Sequence, residues 1–141
     1  MITEKEIRQE FLGIPFVHGG RTIEGLDCWG LPILIYRKIN IILLDLENYE
    51  FNWGKSGKNY FLENYHKEWD EVKDLKFLDV ILFRRKQNEE SSEVVVDHAG
   101  IYLSKHRFIH CCTAGVVIGN LRDKVWDEKV EGYFRNKLLW Q

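Results

Sequence analysis

One cysteine and two histidines in this sequence have the types and spacing of a thiol hydrolase. Cys28 follows Asp27 at the head of a helix-patterned apolar run, behind a glycine-rich stretch. Unpaired N–H groups and the helix dipole at such a start favour an anion, so a thiolate would be stabilised there. A thiolate is the nucleophile that covalent hydrolysis needs, and the Cys28 N–H would face a developing oxyanion. The base must come from elsewhere in the chain. His98, with Asp97, interrupts the apolar run 94–103, where polar groups cost stability unless hydrogen-bonded or used. His110 follows twelve positions later (110 − 98) in the run 107–112. Antiparallel neighbours joined by a tight turn at 104–106 would bring both imidazoles together. His110 would then fix the tautomer and orientation of His98, as the third member of a triad does. Plainer readings stay open: Cys28 as a small buried hydrophobe and the histidines as satisfied polar residues.

Metal binding is the competing chemistry for His98, His106, His110, Cys111 and Cys112. Structural zinc sites favour C-x(2–4)-C pairs, whereas adjacent Cys111 and Cys112 project to opposite faces of a strand. No C-x-x-C occurs in the chain, and neither a metal nor another cofactor is expected. His18 and His66 stand in loop contexts and read as ordinary polar residues. The Gly54-Lys-Ser-Gly-Lys58 stretch lacks phosphate-loop spacing and reads as a solvated turn.

The elements that must position these residues fall in a clear order. The 141 residues fit one domain, 1–141, with 45% apolar residues to supply its core. A net charge of −2 gives no general pull toward nucleic acid or anionic membrane. The most apolar stretch, 31–46, is broken by Arg37, Lys38 and Asn40, so membrane insertion is not expected. The charged first ten residues lack a signal-peptide core, and synthesis in a reducing cytoplasm with free thiols is expected. Thr3 to Glu6 forms a capping box, which predicts a first helix ending near Leu12. Asp27 can cap a second helix carrying Leu31, Leu34, Ile35 and Ile39, although Pro32 requires either an irregular turn at Cys28 or a regular helix that starts a residue or two late. A short helix over 60–72 comes next. Strands are predicted at 77–83, 94–103, 107–112, 116–121 and 132–138, with 84–93 as a hairpin loop. Helices followed by closely spaced strands argue an α+β fold with N-terminal helices packed on an antiparallel sheet of about five strands.

With these residues in view, the chain resembles the NlpC/P60 family of papain-like cell-wall cysteine peptidases. Gly13-Ile-Pro-Phe-Val-His-Gly-Gly20 followed by Gly25-Leu-Asp-Cys-Trp-Gly-Leu31 is similar to the family's G-x-P-Y-x-x-G-G and D-C-S-G-L segments. Leu78-Asp-Val-Ile-Leu-Phe83 stands where the family has P-G-D and an apolar strand. Asp97-His-Ala-Gly-Ile-Tyr-Leu103 resembles its H-V-G-I-Y strand, and Phe108-Ile-His110 the strand with the third polar residue. The four segments occur in the family's order from Gly13 to about Ile118.

The resemblance implies a papain-like fold and amide hydrolysis through an acyl-enzyme. Cys28 matches the nucleophile, His98 the base and His110 the orienting residue, with Phe16, Asp27 and Trp29 on the substrate side. The implied substrate is the peptidoglycan stem peptide, cut at a γ-D-glutamyl–diamino acid bond, with no cofactor. Phe16 stands in place of Tyr, Trp29 in place of Ser, and Pro32 is unusual for the helix. The D-C-W-G-L form, with Gly19-Gly20-Arg21 upstream, looks most like the branch found in phage tail-assembly proteins, which implies other tail proteins as partners. The three departures also admit a second reading, a structural or binding module of a tail with weak or no activity.

Overall fold

The computed structural model describes residues 1–45, 67–84 and 96–139. The chain opens with α1 (Glu4–Phe11), where the Thr3 hydroxyl accepts from the Glu6 N–H at 3.2 Å and buries Ile7 and Phe11 on one face. Within the glycine-rich stretch, β1 (Arg21–Thr22) and β2 (Gly25–Leu26) pair as a small antiparallel hairpin. The second helix, α2 (Gly30–Arg37), starts late enough for Pro32 to sit in its first turn, where an N–H has no intrahelical acceptor to lose. Leu31, Ile33, Ile35 and Tyr36 of α2 are buried, and Leu34 and Ile39 pack against the core from its rim.

The remaining strands are β3 (Trp69–Val72), β4 (Val80–Arg84), β5 (Val96–Ser104), β6 (Arg107–Cys112), β7 (Gly115–Asn120) and β8 (Val130–Asn136), with α3 (Lys124–Asp127) before the last. They form one antiparallel sheet in the order β3-β8-β4-β5-β6-β7. Six strands therefore stand where about five were expected, and the fold is α+β. The extra one corrects the last four residues of the helix expected over 60–72, of which Lys67 and Glu68 are helical. Trp69–Val72 pairs with Tyr133–Asn136 and buries Trp69, so sheet pairing overrides the local helical pattern there. Residues 60–66 of that helix, most of the 84–93 loop, the 54–58 turn and His66 lie outside the described residues.

Two apolar layers enclose the sheet. On one face Val80, Leu82, Ala99, Ile101, Ile109 and Cys111 meet α1 and α2; on the other, Ile81, Phe83, Phe108 and Leu121 pack with Tyr102, Trp126 and Tyr133. β4 is buried on both faces, which is why its sequence is an unbroken apolar run. The β5–β6 turn places Lys105 and His106 at φ +51° and +67°, the signature of a type I′ hairpin that matches strand twist.

Where β4 begins, the wholly buried Asp79 accepts from Arg135 Nε at 2.9 Å and Nη2 at 2.7 Å, and from the Lys76 N–H at 2.7 Å. This fork ties β4 to β8. It also holds Leu78 at φ +77°, a strained conformation for a branched residue, together with the Tyr36 hydroxyl that donates to the Leu78 carbonyl.

Candidate active site

The turn carrying Cys28 is built around one carboxylate. Asp27 Oδ1 accepts from the N–H groups of Trp29 at 3.1 Å and Gly30 at 2.7 Å, and its Oδ2 accepts from the Gly19 N–H at 3.2 Å. The Leu31 N–H reaches the Asp27 carbonyl at 3.3 Å, so helical bonding begins at Asp27 although regular geometry starts at Gly30. Arg21 donates to Asp27 Oδ1 at 2.8 Å and to the Gly20 carbonyl at 2.9 Å. Loop and helix approach so closely that a Cβ on Gly30 would lie 2.2 Å from the Gly20 carbonyl oxygen. Glycine is required here for space.

The histidines come from adjacent strands. A β-bulge between Phe83 and Arg84 leaves Asp97 as the extra residue on β5, because Phe83 pairs with His98 and Arg84 with Val96. The bulge turns both Val96 and Ala99 into the helix-side core and sends His98 to the opposite face. There His98 Nε2 and His110 Nδ1 are 2.7 Å apart, one donating to the other. Trp126 of α3 stacks on His98 at 5.7 Å between ring centroids and meets His110 edge-on at 4.8 Å. Phe83 and Phe108 complete the enclosure. The Phe108 ring is itself seated between Gly100 and Gly119, where a Cβ would lie 2.8 and 2.5 Å from ring atoms.

Cys28 meets the same strand at its backbone. Its Sγ lies 3.9 Å from the Asp97 carbonyl oxygen, and the Ala99 N–H is directed at the sulfur. Among the described residues no hydrogen bond joins Cys28 to the His98 ring. The nucleophile candidate thus touches both residues flanking His98, while the His98 side chain is bonded to His110.

Electrostatics correct the expectation of a stabilised thiolate. Burial pushes the Cys28 thiol up, and the Asp27 carboxylate adds to the rise. The helix-start donors expected to favour an anion are occupied: Trp29 and Gly30 give theirs to Asp27. The Cys28 N–H has no acceptor among the described residues, and it is the donor left for an oxyanion. Burial lowers His98 to about 3, with His110 and Lys129 adding to the shift, and lowers His110 to about 4. At neutral pH the three groups are therefore a thiol and two neutral imidazoles.

Two residues expected on the substrate side serve the scaffold instead. Trp29 is fully buried in the helix-side core with its indole N–H donating to the Leu44 carbonyl at 2.9 Å, leaving it no surface for a substrate. Asp27 is 3% exposed and engaged by the four donors described. Phe16 is 37% exposed and lies beside Leu26 through an isolated bridge. Of the residues weighed for metal binding, His98 and His110 meet, and the other three point elsewhere. Cys111 points into the core toward the Leu26 carbonyl at 3.1 Å, Cys112 toward Gly115, and His106 sits on the exposed turn. All three thiols are free.

Sequence reasoning missed Arg21 as the partner of Asp27, and Trp126 as the cover of the histidine pair. Both pairings are long-range for a pattern reader, though Arg21 stands beside the glycine pair that already marked the loop.

Comparison with known proteins agrees with this construction. The NlpC/P60 family model matches residues 13–135. A probable endopeptidase of Haemophilus influenzae is 26% identical over 143 residues, covering 100% of this chain and 71% of that protein. The murein DD-endopeptidase MepS/murein LD-carboxypeptidase of Escherichia coli is 26% identical over 121 residues, covering 85% of this chain. This chain spans about half, 54%, of that relative. Among solved structures, an NlpC/P60 protein of Bacillus cereus aligns with a TM-score of 0.64 at 25% identity, over 89% of this chain and 36% of that one. The NlpC/p60 domain of the peptidoglycan hydrolase SagA shares the fold, with a TM-score of 0.57 at 16% identity over 93% of each chain. Match and fold together place the chain: it belongs to the NlpC/P60 family.

Proposed function

We propose that this protein is a cysteine endopeptidase that hydrolyses amide bonds in peptidoglycan stem peptides, with Cys28 as nucleophile, His98 as base and His110 as the residue that orients it. The observation that carries the reading is the meeting of Cys28, at a helix start with an N–H that has no acceptor among the described residues, with the bulged segment of β5 that bears His98, itself hydrogen-bonded to His110 of β6. The family, and relatives whose names are endopeptidases of murein, support the substrate class.

The chemistry follows from the resting protonation states. A neutral thiol beside neutral imidazoles stores no ion pair, so the thiol proton passes to His98 in step with attack on the amide carbonyl. Cys28 packs on the helix side of the sheet and the His98 ring on the other, so the ring must swing to the sulfur for this step, and His110 then shares the charge that His98 gains. The Cys28 N–H donates to the oxyanion. The protonated His98 delivers its proton to the leaving amine, and water, deprotonated by His98, releases the acyl group from sulfur.

The γ-D-glutamyl–diamino acid bond is the proposed point of cleavage on the strength of the family resemblance, and a phage tail the proposed setting on the strength of the D-C-W-G-L form at 27–31 with Gly19-Gly20-Arg21 upstream. Digestion of purified peptidoglycan with mass analysis of the fragments tests activity and bond choice together. Fragments ending at D-glutamate support the reading; an undigested sacculus refutes it. The second reading, a tail module without activity, is favoured by one observation, the absence of a hydrogen bond between Cys28 and His98. It predicts that Cys28 reacts with a thiol reagent no faster than Cys111 and Cys112.

A further inference from the structure

Asp27 sits next to the nucleophile in sequence, and its buried charge opposes thiolate formation. The structure supplies a cation for it. The Arg21 side chain, only 14% exposed, places Nη1 2.8 Å from Asp27 Oδ1 and turns Nε to Asp45 Oδ1 at 2.9 Å. The stretch that carries Asp45 is fastened to the same turn a second time, by the Trp29 indole on the Leu44 carbonyl. A guanidinium suits this task because its planar fork holds two carboxylates and a carbonyl at once, which an ammonium does not.

We propose that Arg21 is a positioning residue for Cys28: it is the middle of an Asp45–Arg21–Asp27 relay that clamps the nucleophile turn and offsets the carboxylate charge beside the thiol. This inference rests on the reading of Cys28 as nucleophile. The groups facing the sulfur are Asp27 from its own turn, Asp97 and the Ala99 N–H from β5, and Cys111 from β6. Among the described residues, Arg21 is the cation hydrogen-bonded to any of these carboxylates. Without it, Asp27 and Asp45 lose the guanidinium that they share.

The sign of the effect separates a charge role from a packing role. Loss of packing alone would loosen the turn and speed alkylation of the half-buried thiol. Loss of the offsetting charge raises the thiol pKa, and each rise of about one unit is a tenfold loss of thiolate below that pKa. The more basic thiolate regains about threefold in nucleophilicity, so the net rate falls about three- to fourfold.

The test is the iodoacetamide rate at Cys28 between pH 6 and 9, read by peptide mapping so that Cys111 and Cys112 are scored separately. Arg21→Gln is expected to react about threefold more slowly than wild type across this range, and Asp45→Asn no more slowly than wild type. An Arg21→Gln rate equal to or above wild type overturns the proposal. Should Arg21→Gln not fold, Arg21→Lys keeps the charge without the fork: its rate stays within twofold of wild type while its melting temperature falls. A rise of more than about fivefold in Arg21→Lys would mark Arg21 as packing alone and overturn the proposal. Because the assay contains no peptidoglycan, a wild-type protein that fails to cut stem peptides refutes the proposed function while these rates still judge Arg21.

Discussion

Replacing Gly30 by alanine should damage the site through a single atom. A Cβ at residue 30 would lie 2.2 Å from the Gly20 carbonyl oxygen, 3.2 Å from Arg21 Nη1 and 3.3 Å from Asp27 Oδ1. Relief to the 3.4 Å of ordinary contact demands a shift of about 1.2 Å (3.4 − 2.2) between two backbone segments. Neither is a flexible side-chain end. Such overpacking costs about 1–3 kcal/mol, and disturbing the Asp27 cap adds about 0.5–2 kcal/mol. Alanine returns about 1 kcal/mol through its better helix propensity. The net is a destabilisation of about 0.5–4 kcal/mol, centred near 2, or about 8 °C in melting temperature for a chain of this size. A displacement of this size at a nucleophile costs on the order of 100-fold in rate. Gly13→Ala is the control. Gly13, unlike Gly30, has positive φ, +87°, and no atom lies within 4 Å of its Cβ position. It should lose only about 1–2 kcal/mol from backbone strain, with cleavage nearly unchanged. Urea denaturation followed by circular dichroism, paired with a peptidoglycan digestion rate, reads both quantities. If Gly30→Ala melts within 2 °C of wild type and cuts at full rate, loop and helix are not clamped as described.

The histidine pair makes stability depend on pH. Folded values near 3 and 4 lie below the ordinary 6.5, so the unfolded chain binds protons first as pH falls. The stabilisation is complete above about pH 6.5 and is lost progressively toward pH 4 at about 1.4 kcal/mol per pH unit for each histidine. A His98→Gln, His110→Gln double variant should flatten that slope in denaturation curves, and an unchanged slope contradicts the assignment. Trp126→Ala opens the pair to water and should raise both histidine pKa values toward 6.5, seen by NMR titration of the ring protons. Asp79→Ala leaves Arg135 without its buried partner and should cost about 3 kcal/mol in urea denaturation, whereas Glu128→Ala, which removes an exposed partner of Lys124, should change little.

Much of this arrangement was readable before folding because its signals are local. The Thr3 cap, the helix after Asp27, the late start forced by Pro32 and the 105–106 turn each depend on neighbours a few positions away. The pairing of His98 with His110 was also legible, since a tight hairpin fixes which residues of two adjacent strands face each other. What stayed hidden depends on distant contacts. Trp69 joins the sheet because Asn136 waits at its edge, and Leu78 takes a left-handed conformation because Asp79, Arg135 and Tyr36 hold it there. The bulge at Asp97 is likewise invisible in an alternating pattern, yet it decides which face receives His98. Trp29 reads as a pocket residue beside the nucleophile and proves to be core, because the cap formed by Asp27 turns its indole inward to Leu44. The expectation of a thiolate failed for the same reason: a helix start favours an anion only while its N–H groups are free, and here Asp27 had taken them.

The central claim is that Cys28 is the nucleophile of a stem-peptide endopeptidase, and Cys28→Ala tests it most directly. Sulfur makes only a long contact with the Asp97 carbonyl and receives the Ala99 N–H, so its removal should leave the melting temperature within a few degrees of wild type. Release of stem-peptide fragments from purified peptidoglycan, measured by mass spectrometry, should fall to the enzyme-free background. Fragment release by folded Cys28→Ala at the wild-type rate would contradict the account.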